Sequence, residues 1–238
     1  MRILALDTAT MTATCAVSEN GALLGEASLH GTKTHSQKLL PMTDSLLRSL
    51  EFAPGDLDAF AVSVGPGSFT GLRIGIVTAK GLAFATGKPL YGVPTLEALA
   101  FTVPLWKGVV CPLIDARNHQ AFCGFYLRTE HAAERMLEDN VLHVDALADT
   151  LAVFGRDVLL VGDCAARFAP IVRARWAETH PTLAVHAADP AMFGTRAAAT
   201  ALLAERAALS GSPGDPFALE PFYMRPSQAE RFRHGETR

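Results

Sequence analysis

The sequence predicts an α/β protein made of two similar half-length units, each a sheet with flanking helices. Three observations carry that prediction. "LALDTATMTATCAVS" near the start and "CPLIDARNHQAFCGFYL" from residue 111 share one plan: an apolar strand, an acid, a turn, then a strand of small residues. Asp7 and Cys15 are eight residues apart, as are Asp115 and Cys123. Further along, "FAVSVGPGSF" is echoed by "DVLLVGDCAARF", each an apolar strand closed by glycine ahead of a helix.

Each element has a local reason. "ILAL" is a short buried strand ending at Asp7, and "TATM" is the turn into "TATCAVS". Asn20-Gly21 is a strong hairpin signal, so "GALLGEASL" pairs back as the next strand. Residues 35–50 switch to helical spacing, with Leu39, Thr43, Leu46 and Leu50 on one side and Leu40 and Leu47 beside it. Ser36 is the expected N-cap, and Pro41 must lie in the first turns or kink the helix. "DAFAVSVG" is a strand, and "GPGSFTG" leads into a second helix capped by Ser68 and Thr70. Later, "TRAAATALLAERAAL" (195–209) is helical, "SGSPGDP" is a loop, and "PFYMRP" is short and extended between its prolines.

The bulk numbers exclude several function classes. The 238 residues are 49% hydrophobic and 19% charged, an ordinary globular balance. The net charge of −3 attracts no nucleic-acid backbone globally. Cys15, Cys111, Cys123 and Cys164 sit among small or apolar residues without a CxxC pair, which reads as buried reduced thiols. The start "MRILALDTAT" has no signal-peptide pattern, and no apolar run is long enough to span a bilayer. A cytoplasmic protein with no membrane contact is expected.

The sequence carries few motifs for chemistry. Gly65 lacks the spacing of a Walker loop, and Gly65, Gly67 and Gly71 run one residue too long for a dinucleotide fingerprint. The amides at that helix start could still attract an anion. Asp7 and Thr8 are the nucleotide-related candidates, because an acid after the first strand can help hold a metal beside a triphosphate. Neither "TAT" after Asp7 nor "ARN" after Asp115 contains glycine, so side chains would crowd the phosphates. An isolated Asp at a strand end also simply caps a turn. His30 and His35 form no HxxxH helix pair, and no GxSxG elbow surrounds Ser68. The expected catalytic and metal sets are therefore empty.

The helix after Gly71 is more informative. Gly71, Gly75, Ala79 and Ala83 repeat every four residues as a smooth ridge that lets another backbone come close. Leu72, Ile74, Ile76, Val77, Leu82 and Phe84 leave only a narrow polar strip around Arg73 and Lys80, so the helix needs cover on nearly every side. Helix 35–50, with Leu39, Leu40, Met42, Leu46 and Leu47, is itself two-sided, so the pair leaves a large apolar face. Pairing it with an equivalent face makes a four-helix interface. On this reading Gly75→Leu or Ala79→Glu abolishes partner binding and leaves the isolated chain folded.

"ILALDTAT", "HSQKLLPM", "GPGSFTGLRIGIVTAKGLA", "GVPTLEALA" and "IDARNHQAF" together resemble the bacterial TsaB family, densely over residues 1–126 and thinly afterwards apart from "PFYMR". The resemblance implies an actin-like, Hsp70-type ATPase fold of two RNase-H-like subdomains, 1–108 carrying the dimer interface and 109–226; the composition of "SQAERFRHGETR" adds the expectation of a polar, mobile tail over 227–238. The resemblance also implies a dimerisation subunit for a catalytic paralogue, the threonylcarbamoyl transferase TsaD. With TsaD and the small ATPase TsaE, the family makes threonylcarbamoyladenosine beside the anticodon of tRNAs reading ANN codons, from threonylcarbamoyl-AMP. The contact is made by the helices after "HSQ" and after "GPGSFTG". The expected interface is therefore His35, Ser36, Leu39, Leu40, Met42, Thr43, Leu46 and Leu47 with Gly65, Gly67, Phe69, Gly71, Leu72, Arg73, Gly75, Ile76, Ala79 and Ala83. Catalytic members carry a metal-binding histidine pair on the helix corresponding to 35–50, whereas "HSQKLLPM" offers only His35. A homodimer through the same surface is expected when TsaD is absent. ATP or ADP is left a place only at the interface of the complex, and tRNA arrives through the complex rather than through "RFRHGETR". The alternative is an ATP-binding or peptidase-like enzyme using Asp7 and the first hairpin.

Overall fold

The computed structural model describes residues 1–31, 34–189 and 191–225. The expected tail over 227–238 lies outside them. The first half opens with β1 (Arg2–Asp7), β2 (Thr12–Glu19) and β3 (Ala22–His30), then α1 (His35–Ser49), β4 (Ala59–Gly65), α2 (Phe69–Thr86), β5 (Leu90–Pro94) and α3 (Thr95–Phe101). The second half runs β6 (Trp106–Arg117), β7 (Gln120–Arg128), β8 (Ala133–His143), α4 (Val144–Ala152), β9 (Val158–Val161), α5 (Ala165–Thr179) and β10 (Val185–Ala187). α6 (Ala197–Leu209) follows.

The repeat seen in the sequence is a repeat in space. One sheet has the order β3-β2-β1-β4-β5 and the other β8-β7-β6-β9-β10. Each joins an antiparallel meander to two parallel strands, with β1 and β6 at the equivalent centres. Central strands are covered on both faces, which is why "ILAL" and "VVCPL" are apolar without alternation. The paired acids are placed alike, since Asp7 lies opposite Thr14 and Asp115 opposite Ala121. The echoed glycines also coincide. Gly65 (φ +124°) and Gly162 (φ +107°) end the first parallel strand of each sheet, in a backbone region that side chains rarely adopt. Asn20 and Gly21 both have positive φ, as the β2–β3 hairpin requires.

Two local expectations shift. α1 begins at His35 with Thr34 as its N-cap, so Ser36 is inside the first turn, and the Thr34 side chain makes no capping hydrogen bond. Pro41 is the seventh residue of that helix. For α2, Ser68 is the N-cap and its hydroxyl accepts from the Gly71 amide at 3.2 Å, while Thr70 lies within the helix.

The chain does not stay in its second half after residue 109. α6 returns to cover the first sheet, packing on β1 and β2. Small side chains, Ala197, Ala201 and Ala204, let it lie close against Ile3, Ala5 and Ala16. It is fastened by polar side chains: Glu26 accepts from Arg196 Nε at 2.8 Å and from the Ala198 amide at 3.0 Å, and Ser63 Oγ meets Thr200 Oγ1 at 3.2 Å. Residues 214–225 follow the same half, with the Phe222 amide donating to Val64 O at 2.7 Å. Both faces of the first sheet are thereby buried, α1 and α2 on one side and α6 on the other. Among the described residues no helix is long and apolar enough to cross a membrane.

Candidate functional site: the outer face of α1 and α2

α2 presents its ridge inward. A Cβ on Gly71 would lie 2.1 Å from Thr8 O, and one on Gly75 would lie 2.4 Å from Thr8 Oγ1. Thr8 Oγ1 donates to Gly71 O at 2.7 Å, locking the β1–β2 turn onto the helix. Ala79 and Ala83 are fully buried in the same cluster, with Leu72 and Ile76. The smooth ridge therefore does allow a close backbone approach, but the approaching backbone is this chain's own first turn. This corrects the reading in which Gly71, Gly75, Ala79 and Ala83 met another molecule. It also overturns the expectation that Gly75→Leu or Ala79→Glu leaves the chain folded, because both push bulk or charge into the core.

The water-facing stripe of α2 is Arg73, Val77, Gly81 and Phe84, with Lys80 half-buried beside it. Val77 is 68% exposed and Phe84 is 75% exposed. On α1, Leu39, Met42, Thr43 and Leu47 are buried, while Leu40 is 53% exposed. Met42 and Leu46 line a separate groove of about 600 Å³ between α1 and β3, with Leu29 and Pro41. The sequence held a signal for the outward stripe. Arg73 and Lys80 mark the solvent side, and Val77 and Phe84 share their spacing on the helix.

The C-terminal segment completes this face. The Phe217 ring meets Phe84 edge-to-face at 6.5 Å and is 78% exposed. Tyr223 stacks on Phe69 at 4.5 Å, and Arg73 donates from Nε to Tyr223 Oη at 2.9 Å with its guanidinium 4.0 Å above the Phe69 ring. Gly65 and Gly67 lie beneath: a Cβ on Gly65 would meet Phe222 O at 2.4 Å, and one on Gly67 would meet Ala9 O at 2.5 Å. Nothing local in the sequence places Phe217 or Tyr223 here.

The nucleotide-related candidates are built differently. Asp7 is buried, accepting from Ser63 Oγ at 2.6 Å and from the Ala9 amide at 2.9 Å. Burial pushes its carboxyl above the ordinary range, partly offset by those two hydrogen bonds and by His35 nearby. His35 Nε2 donates to Thr10 O at 2.8 Å, and its Nδ1 is buried without a hydrogen-bond partner among the described residues. Asp7, His35 and Thr8 thus hold the β1–β2 turn in place. In the other half, Asp115 is gripped by Arg167 at 2.7 Å, and its amide donates to Asp163 at 2.9 Å. A cleft of about 690 Å³ separates the halves, lined by Thr10, Glu26, His30, Asp163 and Arg196 among others. Among the described residues no group of three or more His, Cys, Asp or Glu could hold a metal ion.

Comparison with known proteins decides the family. A family model described as "TsaD: tRNA N6-adenosine threonylcarbamoyltransferase" matches residues 26–218. The tRNA threonylcarbamoyladenosine biosynthesis protein TsaB of Bacillus subtilis is 36% identical over 163 residues, spanning 68% of this chain and 71% of that protein. The chain belongs to the TsaB family. The Escherichia coli TsaB is 36% identical over 151 residues, 60% of this chain and 65% of that one. A solved structure from Pseudomonas aeruginosa, described as similar to peptidase YEAZ, is 27% identical with a TM-score of 0.75, covering 94% of this chain and 99% of the other. The expected actin-like ATPase fold stands as well. A putative N-acetylmannosamine kinase from Listeria monocytogenes shares it at 12% identity and a TM-score of 0.52, covering 87% and 100% of the two chains. The function that goes with TsaB membership is biosynthesis of threonylcarbamoyladenosine in tRNA.

Proposed function

We propose that this TsaB-family chain is a non-catalytic dimerisation subunit, binding the catalytic paralogue TsaD through the outer face of α1 and α2. In this reading it also engages the ATPase TsaE, pairs with itself when TsaD is absent, and meets tRNA only through the complex, in the cytoplasm. The N6 of the adenosine beside the anticodon of ANN-reading tRNAs is modified by the partner. The supporting observation is the exposure of Leu40, Val77 and Phe84 on two adjacent helices, joined by Phe217. Val77 and Phe84 share one stripe of α2 and Phe217 packs on Phe84, and an exposed apolar patch that is contiguous marks a protein interface.

The proposed contact set differs from the one expected from sequence. Leu39, Thr43, Leu47, Gly71, Leu72, Gly75, Ile76, Ala79 and Ala83 support the face from within; Leu40, Arg73, Val77, Gly81, Phe84 and Phe217 would touch the partner. The peptidase-like alternative is disfavoured by the closed surroundings of Asp7, whose two oxygens are both engaged inside the chain. The test is the double variant Val77→Glu, Phe84→Glu. Exposed substitutions of this kind change stability by about 0.5 kcal/mol or less, so the isolated chain stays folded. Co-purification with TsaD is expected to be lost; undiminished binding would place the contact elsewhere.

A further inference from the structure

We infer that the C-terminal segment 214–225 is a clasp that fixes the opening between the two halves of this molecule. Two lobes that share a cleft move relative to one another by default, unless something ties them. Here α3 is the common pivot: Leu96, Leu99 and Ala100 pack against Val110, Ile114 and Val161 of the second half. The segment is a second tie, far from α3 in sequence, and it is anchored along its whole length. Gly214 O accepts from the Leu90 amide at 2.8 Å, at the outer strand of the first sheet. Leu219 packs over Gly92 and joins the core cluster of α1 and α2. The Phe222 amide is held by Val64, and Tyr223 stacks on Phe69 while its hydroxyl accepts from Arg73. Arg225 then crosses to the second half, donating from Nη1 to Ala116 O at 3.3 Å and from Nη2 to Gln120 Oε1.

The crossing point matters. Ala116 and Gln120 flank the turn Arg117-Asn118-His119, whose three residues all have positive φ. That turn adjoins Asp115, and Asp115 is bonded to Asp163 in the wall of the cleft. Any rotation that widens or closes the cleft moves this turn relative to the first half, and so has to break the Arg225 contacts. Arg206 of α6 adds another cross-tie to His131 O, in the turn between β7 and β8. The clasp also joins the turn beside the cleft to the first turn of α2 through one short chain segment. A molecule built in this way presents a rigid body to whatever it binds, rather than closing about a ligand. This inference stands on the geometry of the single chain and does not require the docking partner proposed above.

Double electron–electron resonance tests it, with spin labels at Ser49→Cys on α1 and Glu178→Cys on α5, both exposed. The four native cysteines are buried, so the labels go to the introduced thiols. The labelled full chain is expected to give one narrow distance. Arg225→Ala and, from the other end, Gln120→Ala are expected to lose that single narrow distance while circular dichroism is unchanged. Amide exchange across residues 116–121 should rise at least about ten-fold in both variants, since each loses the charge-assisted hydrogen bond between Arg225 and Gln120. A parent chain that already shows broad or double distances overturns the clasp. So does retention of the narrow distance by both variants.

Discussion

Three glycines of α2 test which way that helix faces, because adding one methyl group stabilises at one of them and destabilises at the other two. In a helix interior Gly→Ala gains about 0.5–1 kcal/mol from backbone entropy. At Gly81 a new Cβ meets nothing within 4 Å among the described residues, so Gly81→Ala should realise the whole gain. At Gly75 the Cβ lands 2.4 Å from Thr8 Oγ1 and 3.4 Å from Val62 Cγ2. The hydroxyl must move and give up its 2.7 Å bond to Gly71 O. Overpacking and a lost buried hydrogen bond together cost about 3 kcal/mol, leaving a net loss of about 2 kcal/mol after the helix gain. At Gly71 the obstacle is the Thr8 carbonyl oxygen at 2.1 Å, which is main chain and cannot swing aside, so the loss should be larger. For a chain of this length each kcal/mol moves Tm by about 2–4 °C. Calorimetry of the isolated chain is therefore expected to rank Gly81→Ala above wild type, Gly75→Ala about 4–8 °C below it, and Gly71→Ala lowest. If Gly75→Ala raised Tm as Gly81→Ala does, the ridge would face outward and the packing argued above would be wrong.

Further outcomes follow from single side chains. Burial pushes the thiols of Cys15 to about 11 and Cys123 to about 12, and raises Cys111 and Cys164 as well, so a thiol-specific chromogenic reagent at neutral pH should find none of the four until denaturant is added. Fast labelling of any one in the native chain would contradict its placement. Asp7, Glu97, Asp139 and Asp163 are all held above the ordinary carboxylate range, chiefly by burial. In that window the folded chain binds more protons than the unfolded chain, so these groups make stability rise as the pH falls from neutral toward the unfolded values near 4. Urea midpoints should show that rise and Asp7→Asn should flatten it; a slope unaltered by Asp7→Asn would remove Asp7 from the account. Glu26→Ala should loosen α6 by about 2–3 kcal/mol, since Arg196 and the Ala198 amide lose their shared, nearly buried acceptor. A shifted urea midpoint with unchanged m-value is the expected reading, and an unshifted midpoint would mean that α6 is held by packing alone.

The duplication was readable in the residues alone, because strand, acid, turn and strand are local patterns and recur at matched spacing. The Asn20-Gly21 hairpin, the Ser68 cap and the two strand-ending glycines were also legible, each depending on a few neighbouring residues. Its motifs were specific enough to reveal the TsaB family. How α2 is turned emerges only from its packing in three dimensions. A helix that is apolar on nearly every side has no period to say which face its own sheet takes, and small residues suit an internal neighbour as well as an external one. The return of α6 and of residues 214–225 to the first sheet was equally hidden, because those contacts join positions over a hundred residues apart, such as Phe222 with Val64. Asp7 shows the same divide: its residue type suits a metal ligand, and it became a buried turn anchor once Ser63, brought up by the neighbouring parallel strand, met it at 2.6 Å.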